Sequence, residues 1–141
     1  MKRLWKYIGI ALFTSAILYK YKDYLFRFLG LKKFAIIYYH PDDAYAVYIL
    51  HKALYPFSDV FKGSEDNPIP EEAKKYKYII FIGGQAVNPI YRKFMEAGYL
   101  PEIKTPGQKV IKQINDYIFI AGYEAPDTYE AVKEFITKYI K

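Results

Sequence analysis

The chain has 141 residues and a formal charge of +6 at pH 7, from 21 Lys and Arg residues against 15 Asp and Glu residues. Its 52% hydrophobic content excludes a disordered chain, and the absence of cysteine excludes disulfides, thiolate metal sites and cysteine nucleophiles. Lysine and glutamate richness without cysteine is compatible with a thermophile. Residues 1–33 have eight basic side chains and one acidic one, whereas residues 34–141 have 13 basic and 14 acidic ones. Because the positive charge lies at one end, we expect no nucleic-acid partner for the folded body.

The first 30 residues have the pattern of a membrane-anchor helix. Basic residues bracket an uncharged stretch, residues 7–19, which as a helix rises only about 20 Å, less than the roughly 30 Å hydrocarbon core of a bilayer. Extended to residues 4–24, the span is long enough, and its lysines reach the membrane interface. Since no clear cleavage site follows, the sequence predicts an uncleaved signal-anchor helix in residues 1–30. A cleaved signal peptide and an in-plane or partner-packing helix remain the alternatives.

Two opposing signals bear on the orientation of this helix. The apolar stretch has slightly more basic residues after it than before it, which favours a cytoplasmic C-terminus. A short apolar stretch behind a basic N-terminus is instead typical of an export signal. We expect export, and therefore a membrane-anchored domain displayed outside the cell.

Residues 34–141 have the pattern of a single α/β domain. Three short apolar runs, rich in isoleucine and aromatic residues, are typical of strands that are covered on both faces: 34–39, 78–82 and 117–121. Each run is followed by a turn and a helical pattern, over 43–54, 89–97 and 128–139. The repeated strand–turn–helix unit predicts a three-layer domain with a mainly parallel sheet flanked by helices.

Local signals mark the ends of two of these helices. Asn88 is a predicted N-cap, Pro89 suits the first helical position, and Gly98 suits the residue after the last turn. Asp127 and Glu130 have the spacing of a capping box at the start of the last helix.

Weaker patterns lie between the main elements. Residues 59–61 predict a short strand, and residues 70–76 predict one or two helical turns. Residues 109–114, followed by Asn115-Asp116, predict a hairpin into the third main strand. Such a hairpin makes the sheet mixed.

Ligands of parallel α/β sheets bind where the turns after the strands gather, at one edge of the sheet. In this chain those turns are residues 40–43, 83–85 and 122–124. They support three hypotheses of function, which are metal-dependent hydrolysis, phosphate binding and recognition of a cell-surface partner.

The first turn, His40-Pro41-Asp42-Asp43, resembles the motif of the zinc-dependent N-acetylglucosaminyl de-N-acetylase family. The resemblance implies that His40 and Asp43 bind zinc and that Asp42 is the general base that activates a zinc-bound water. The family's next glutamate and its later histidine motif are missing, and the other histidine, His51, lies in the same predicted helix. The alternative is a structural turn, in which Pro41 starts the helix and the two aspartates favour its positive N-terminus.

The second turn, Gly83-Gly84-Gln85, directly follows a predicted strand, and its backbone N–H groups could hold a phosphate. It has neither the G-x-G-x-x-G spacing nor the Walker sequence, and the next helix is predicted to start near Asn88. The alternative is that the glycines allow a tight turn and close packing.

The third hypothesis depends on two longer segments, FIGGQAVNP at residues 81–89 and IAGYEAPDTYEAVKEFI at residues 120–136. In order and spacing they resemble paired motifs of archaeal S-layer proteins and of the cell-wall-binding repeats of bacterial surface proteins, although this chain has a single copy. The resemblance implies a domain that binds other surface proteins or an envelope polymer, without a cofactor and without catalysis. The implied binding residues are Gly83, Gly84, Gln85, Asn88, Asp127 and Thr128.

The sequence therefore predicts a membrane-anchored, cell-surface α/β binding domain, attached to the membrane through residues 4–24. The alternative is a zinc-dependent hydrolase centred on His40, Asp42 and Asp43. A homo-oligomer is compatible with either prediction.

Overall fold

The computed structural model describes residues 33–140 of the chain. Its strands are β1 Phe34–Tyr38, β2 Ser58–Lys62, β3 Tyr78–Ile82, β4 Lys109–Ile114 and β5 Tyr117–Gly122. Its α-helices are α1 Ala44–Leu54, α2 Pro89–Glu96 and α3 Ala125–Tyr139, and two short 3₁₀ helices span Pro41–Asp43 and Glu71–Lys75. No helix in this part of the chain is both long and apolar enough to cross a membrane. The anchor helix predicted in residues 1–30 lies outside the described residues.

The five strands form one sheet in the order β2-β1-β3-β5-β4. β1 pairs in parallel with β2 and β3, and β3 pairs in parallel with β5. β4 is an antiparallel edge strand, joined to β5 by a tight turn in which Asn115 has a positive φ of 53°. The structure thus confirms the predicted α/β fold, its mainly parallel sheet with flanking helices, and the hairpin that makes the sheet mixed.

Alternate residues of the central strands point into two separate cores. In β3, Ile80 and Ile82 pack against helices α1 and α3 on one face of the sheet. Ile79 and Phe81 pack on the opposite face, against helix α2 and the 3₁₀ helix Glu71–Lys75. Burial of each such side chain contributes roughly 1.5–3 kcal/mol, which is why these strands are apolar on both faces and not alternating.

The signals at the ends of helix α2 are confirmed. The side-chain oxygen of Asn88 accepts hydrogen bonds from the backbone N–H groups of Ile90 (2.9 Å) and Tyr91 (3.1 Å). Beyond the last turn, Gly98 has a φ of +89°, a conformation that glycine adopts without strain. The helix therefore begins directly after Asn88 and ends just before Gly98, as the sequence predicts.

The predicted start of the last helix is wrong by one turn. Helix α3 begins at Ala125, with Glu124 as its N-cap residue, so Asp127 lies inside the first turn and is not the cap. Asp127 Oδ2 accepts a hydrogen bond from the Glu124 N–H (3.2 Å), and Glu130 lies 3.3 Å from the Lys133 ammonium. The physical reason is Pro126, which is compatible with the first turn of a helix because no intrahelical N–H is needed there.

Candidate functional site

The turns after β1, β3 and β5 meet at the carboxyl edge of the sheet and enclose a pocket of about 660 Å³. We call it the edge pocket. It arises because these three strands are parallel neighbours, so that their carboxyl ends lie side by side. The lining residues are His40, Asp42, Asp43, Gly83, Gly84, Gln85, Ala86, Val87, Ile103, Gly122, Tyr123, Glu124, Ala125, Pro126 and Thr128.

Most of the residues that the sequence singled out line this pocket. They are His40, Asp42, Asp43, Gly83, Gly84, Gln85 and Thr128. Two others, Asn88 and Asp127, stand behind the lining and hold its turns in place. Sequence reasoning missed Ile103, which enters from the long connection between α2 and β4 and has no motif to mark it.

Asn88 shapes the turn after β3 from inside the protein. It is fully buried, caps helix α2, and its side-chain amide also donates a hydrogen bond to the Gly83 carbonyl oxygen (3.3 Å). Gly83 has a φ of +117°, and a Cβ atom there would lie 2.7 Å from Val87 Cγ2. Glycine is required at this position by both its backbone conformation and its surroundings.

Gln85 joins the turn after β3 to the connection that carries Ile103. Its side-chain amide donates to the Ile103 carbonyl oxygen (2.8 Å) and accepts from the Ile103 N–H (3.2 Å). The Gln85 carbonyl oxygen accepts a hydrogen bond from Arg92 Nε (3.1 Å), and the same guanidinium binds both carboxylate oxygens of Glu65 (3.0 and 3.2 Å). The Gln85 side chain is therefore occupied in fixing the pocket wall.

The start of helix α3 forms another wall. Gly122 packs so closely on the helix that a Cβ atom there would overlap the backbone of Asp127 and Thr128. Asp127 Oδ2 also accepts a hydrogen bond from the Gly107 N–H (3.2 Å), which ties the connection before β4 to this helix. Asp127 is thus a structural residue of the site.

Asp43 and Thr128 are the buried polar side chains of the pocket, with relative exposures of 5% and 2%. Within residues 33–140, neither side chain makes a hydrogen bond or an ion pair. No polar side-chain atom in this part of the chain is both fully enclosed and without a partner, so the oxygens of Asp43 and Thr128 keep access to the pocket that they line. Both side chains are available to a ligand.

Burial controls the charge of Asp43. Desolvation raises the pKa of its carboxyl group from 3.8 to about 6, His40 opposes this rise, and the charge of Asp42 adds to it. His40 itself is half exposed, and its Nδ1 accepts a hydrogen bond from the Asp42 backbone N–H (3.1 Å). Near neutral pH, Asp43 is therefore a mostly ionised carboxylate to which no side chain or backbone N–H group of residues 33–140 donates a hydrogen bond.

The residues present do not fit the zinc site that the first turn implies. Among residues 33–140, no three histidine, aspartate or glutamate side chains converge as a metal site requires. His51 does not line the edge pocket, and its Nδ1 lies 2.8 Å from Ser58 Oγ. Of the described residues, His40, Asp42, Asp43 and Glu124 line the pocket, yet no three of them converge on one point.

Phosphate binding at Gly83-Gly84 also fits poorly, because the charge of the pocket has the wrong sign. Asp42, Asp43 and Glu124 line the same pocket, and the part of the chain that the structure describes adds no lysine or arginine to the lining. A phosphate would therefore meet three carboxyl groups, and His40 is the one basic side chain that the described residues place beside it.

Sequence comparisons assign no family to the chain. No protein-family model matches the chain, and a comparison with curated proteins finds no similar one.

Proposed function

We propose that the chain is a membrane-anchored cell-surface domain that binds an envelope polymer through the edge pocket. One observation carries the proposal: Asp43 and Thr128, two buried polar side chains without a partner among residues 33–140, open into one pocket. Their oxygens reach the pocket and are open to water, so a ligand with a hydrogen-bond donor can replace that water and complete the bond.

The shape of the site favours a polymer unit over a flat protein surface. The pocket is concave, with a volume of about 660 Å³, and small ligands bind in clefts of roughly 300–1,000 Å³. Its lining includes Tyr123, which is 42% exposed and has an apolar ring to pack against a sugar ring.

The rigidity of the pocket wall also supports binding. Gln85, Asp127 and Arg92 fix the turns and connections through hydrogen bonds. A wall that is already ordered loses little conformational entropy when a ligand binds.

Two features of the sequence indicate where in the cell the domain is expected to act. The basic residues around the apolar stretch in residues 4–24 favour a membrane anchor, and the segments at 81–89 and 120–136 resemble surface-layer and cell-wall-binding domains. Both features favour a partner in the cell envelope.

A capture experiment tests the proposal. The full chain in a mild detergent is mixed with isolated envelope polysaccharide of the source organism, alongside the variant Ala86→Trp. Ala86 is an exposed residue of the pocket lining, so a tryptophan there fills the pocket without disturbing the core. We expect capture to fall at least about tenfold, which corresponds to 1.4 kcal/mol of lost binding.

The matched control is Ala97→Trp, at an exposed position outside the pocket lining, which should capture the polymer as the native chain does. Equal capture by Ala86→Trp and the native chain would contradict the proposal. Capture that is abolished by treating the envelope with protease would identify a surface protein, not a polymer, as the partner.

A further inference from the structure

The edge pocket has a one-sided charge. Of the fifteen residues within 33–140 that line it, three carry carboxyl groups, Asp42, Asp43 and Glu124, and none is a lysine or an arginine. His40 is the only basic side chain among these described residues. The sum of these charges attracts a positively charged ligand and repels an anion.

The acidic residues alone would not define a ligand, but Asp43 adds an independent observation. Its side chain is more than nine-tenths buried, has no hydrogen-bond partner within residues 33–140, and opens into the pocket. A buried carboxylate gains most from a charged donor, because hydrogen bonds to ionised groups are the strongest ones.

The arrangement suits an organic cation better than a metal ion. Ca²⁺ and Mg²⁺ require several oxygen ligands at about 2.0–2.6 Å, and no such group of side chains converges within residues 33–140. An ammonium group needs fewer protein contacts, since it is a donor with three N–H bonds that water or ligand atoms can also satisfy. Carboxylates spread around a wide pocket fit that requirement.

We propose that the edge pocket binds an amine-bearing sugar unit, whose ammonium group contacts the Asp43 carboxylate and one of whose hydroxyl groups bonds to Thr128. This inference rests on the proposed binding function and names the chemistry that the pocket recognises. The pocket volume and the exposed ring of Tyr123 favour a sugar ring over a single lysine side chain, which is narrow and has no face to stack.

The test compares three probes that share one ring and differ in charge. Glucosamine, N-acetylglucosamine and glucose are titrated into the full chain in detergent at pH 7, and affinity is measured by calorimetry. We expect glucosamine to bind at least about tenfold more tightly than either neutral sugar, because only its ammonium group forms a charge-assisted bond.

Two variants locate the contacts. Asp43→Asn removes the charge and keeps the shape, and it should weaken glucosamine binding about tenfold or more. Thr128→Val removes one hydroxyl group and should weaken the binding about threefold. The control, Asp116→Asn, changes an exposed aspartate in the β4–β5 turn at the opposite edge of the sheet and should leave the affinity unchanged.

Three results would overturn the inference. One is equal affinity for glucosamine and glucose, and another is an Asp43→Asn variant that folds and binds glucosamine as the native chain does. The third is tighter binding of N-acetylglucosamine or of a blocked lysine amide, which would assign the pocket to a different ligand. Thermal unfolding of each variant separates lost binding from lost folding.

Failure of this inference is distinguishable from failure of the proposed function. If Ala86→Trp blocks polymer capture while Asp43→Asn does not, the pocket is the binding site but the ligand is not an amine. If neither variant affects capture, the pocket is not the binding site.

Discussion

Two pairs of buried polar side chains in this domain differ in whether the protein satisfies them. Ser58 and Asn88 are buried beside partners: Ser58 Oγ lies 2.8 Å from His51 Nδ1, and Asn88 makes three hydrogen bonds with backbone groups. Asp43 and Thr128 are buried without a partner among the described residues and line the edge pocket. The difference teaches that buried polar side chains have two roles in this domain. Ser58 and Asn88 stabilise the fold, whereas Asp43 and Thr128 are available to a ligand.

The difference predicts opposite effects of substitution on stability. Removing a side chain that is bonded within the protein leaves buried donors or acceptors unsatisfied. Removing the charge of a buried side chain that has no protein partner should raise the stability of the fold, because a buried charge is costly. The same substitution should lower the affinity for the ligand.

The largest expected effect is the loss of stability in Asn88→Ala. The substitution removes the cap of helix α2 and leaves the buried N–H groups of Ile90 and Tyr91 without their acceptor. We expect the free energy of unfolding to fall by about 2–3 kcal/mol, as measured by urea denaturation of the full chain.

The control for this variant is Asn67→Ala, at an exposed position whose side chain makes no hydrogen bond within residues 33–140. It should change stability by less than about 0.5 kcal/mol. Equal stability of the two variants would contradict the claim that the hydrogen bonds of Asn88 stabilise the fold.

A smaller effect of opposite sign is expected for Asp43→Asn. Burial raises the pKa of the Asp43 carboxyl to about 6 from 3.8, so the folded protein holds an extra proton between these values and loses stability as the pH rises through them. At pH 8 the variant should be more stable than the native chain by about 1–2 kcal/mol, less than the whole pKa shift implies because the pocket admits water. Near pH 4 the two should be almost equally stable.

Unfolding experiments at pH 4, 6 and 8 measure this difference, with Asp116→Asn as the exposed control. A native chain that is more stable than Asp43→Asn at pH 8 would mean that the Asp43 carboxylate stabilises the fold, and the comparison would fail.

Much of the fold could be predicted because its signals are local. The Ile-rich and aromatic runs of β1, β3 and β5 are apolar on both faces, and the turn that follows each of them places its residues at the same edge. Asn88 and Gly98 mark the ends of helix α2 through contacts within a few residues of themselves.

The first residue of helix α3 could not be predicted from such local signals. Glu124, Asp127 and Glu130 follow one another at spacings of three residues, so two pairs have the spacing of a capping box. The choice between the pairs depends on Pro126 and on the close approach of Gly122 to the helix. The second of these is a tertiary contact and leaves no periodic signal.

The chemistry of the pocket could also be predicted only in part from the sequence. The two aspartates after β1 look alike in sequence, yet Asp42 is exposed and Asp43 is buried. Ile103 reaches the site through hydrogen bonds with Gln85, which is 18 residues away in the chain. Burial and long-range contact of this kind become known only when the elements are assembled.

The most direct test of the account is to map the bound polymer on the full chain in detergent by NMR, using fragments of envelope polysaccharide. The account predicts that the largest shifts of backbone amide signals lie at Gly84, Ala86 and Thr128, around the edge pocket. It predicts no shift at Asn115 and Asp116, in the turn at the opposite edge of the sheet. Shifts that are largest at the opposite edge or on the outer faces of the helices would contradict the central claim that the edge pocket is the binding site.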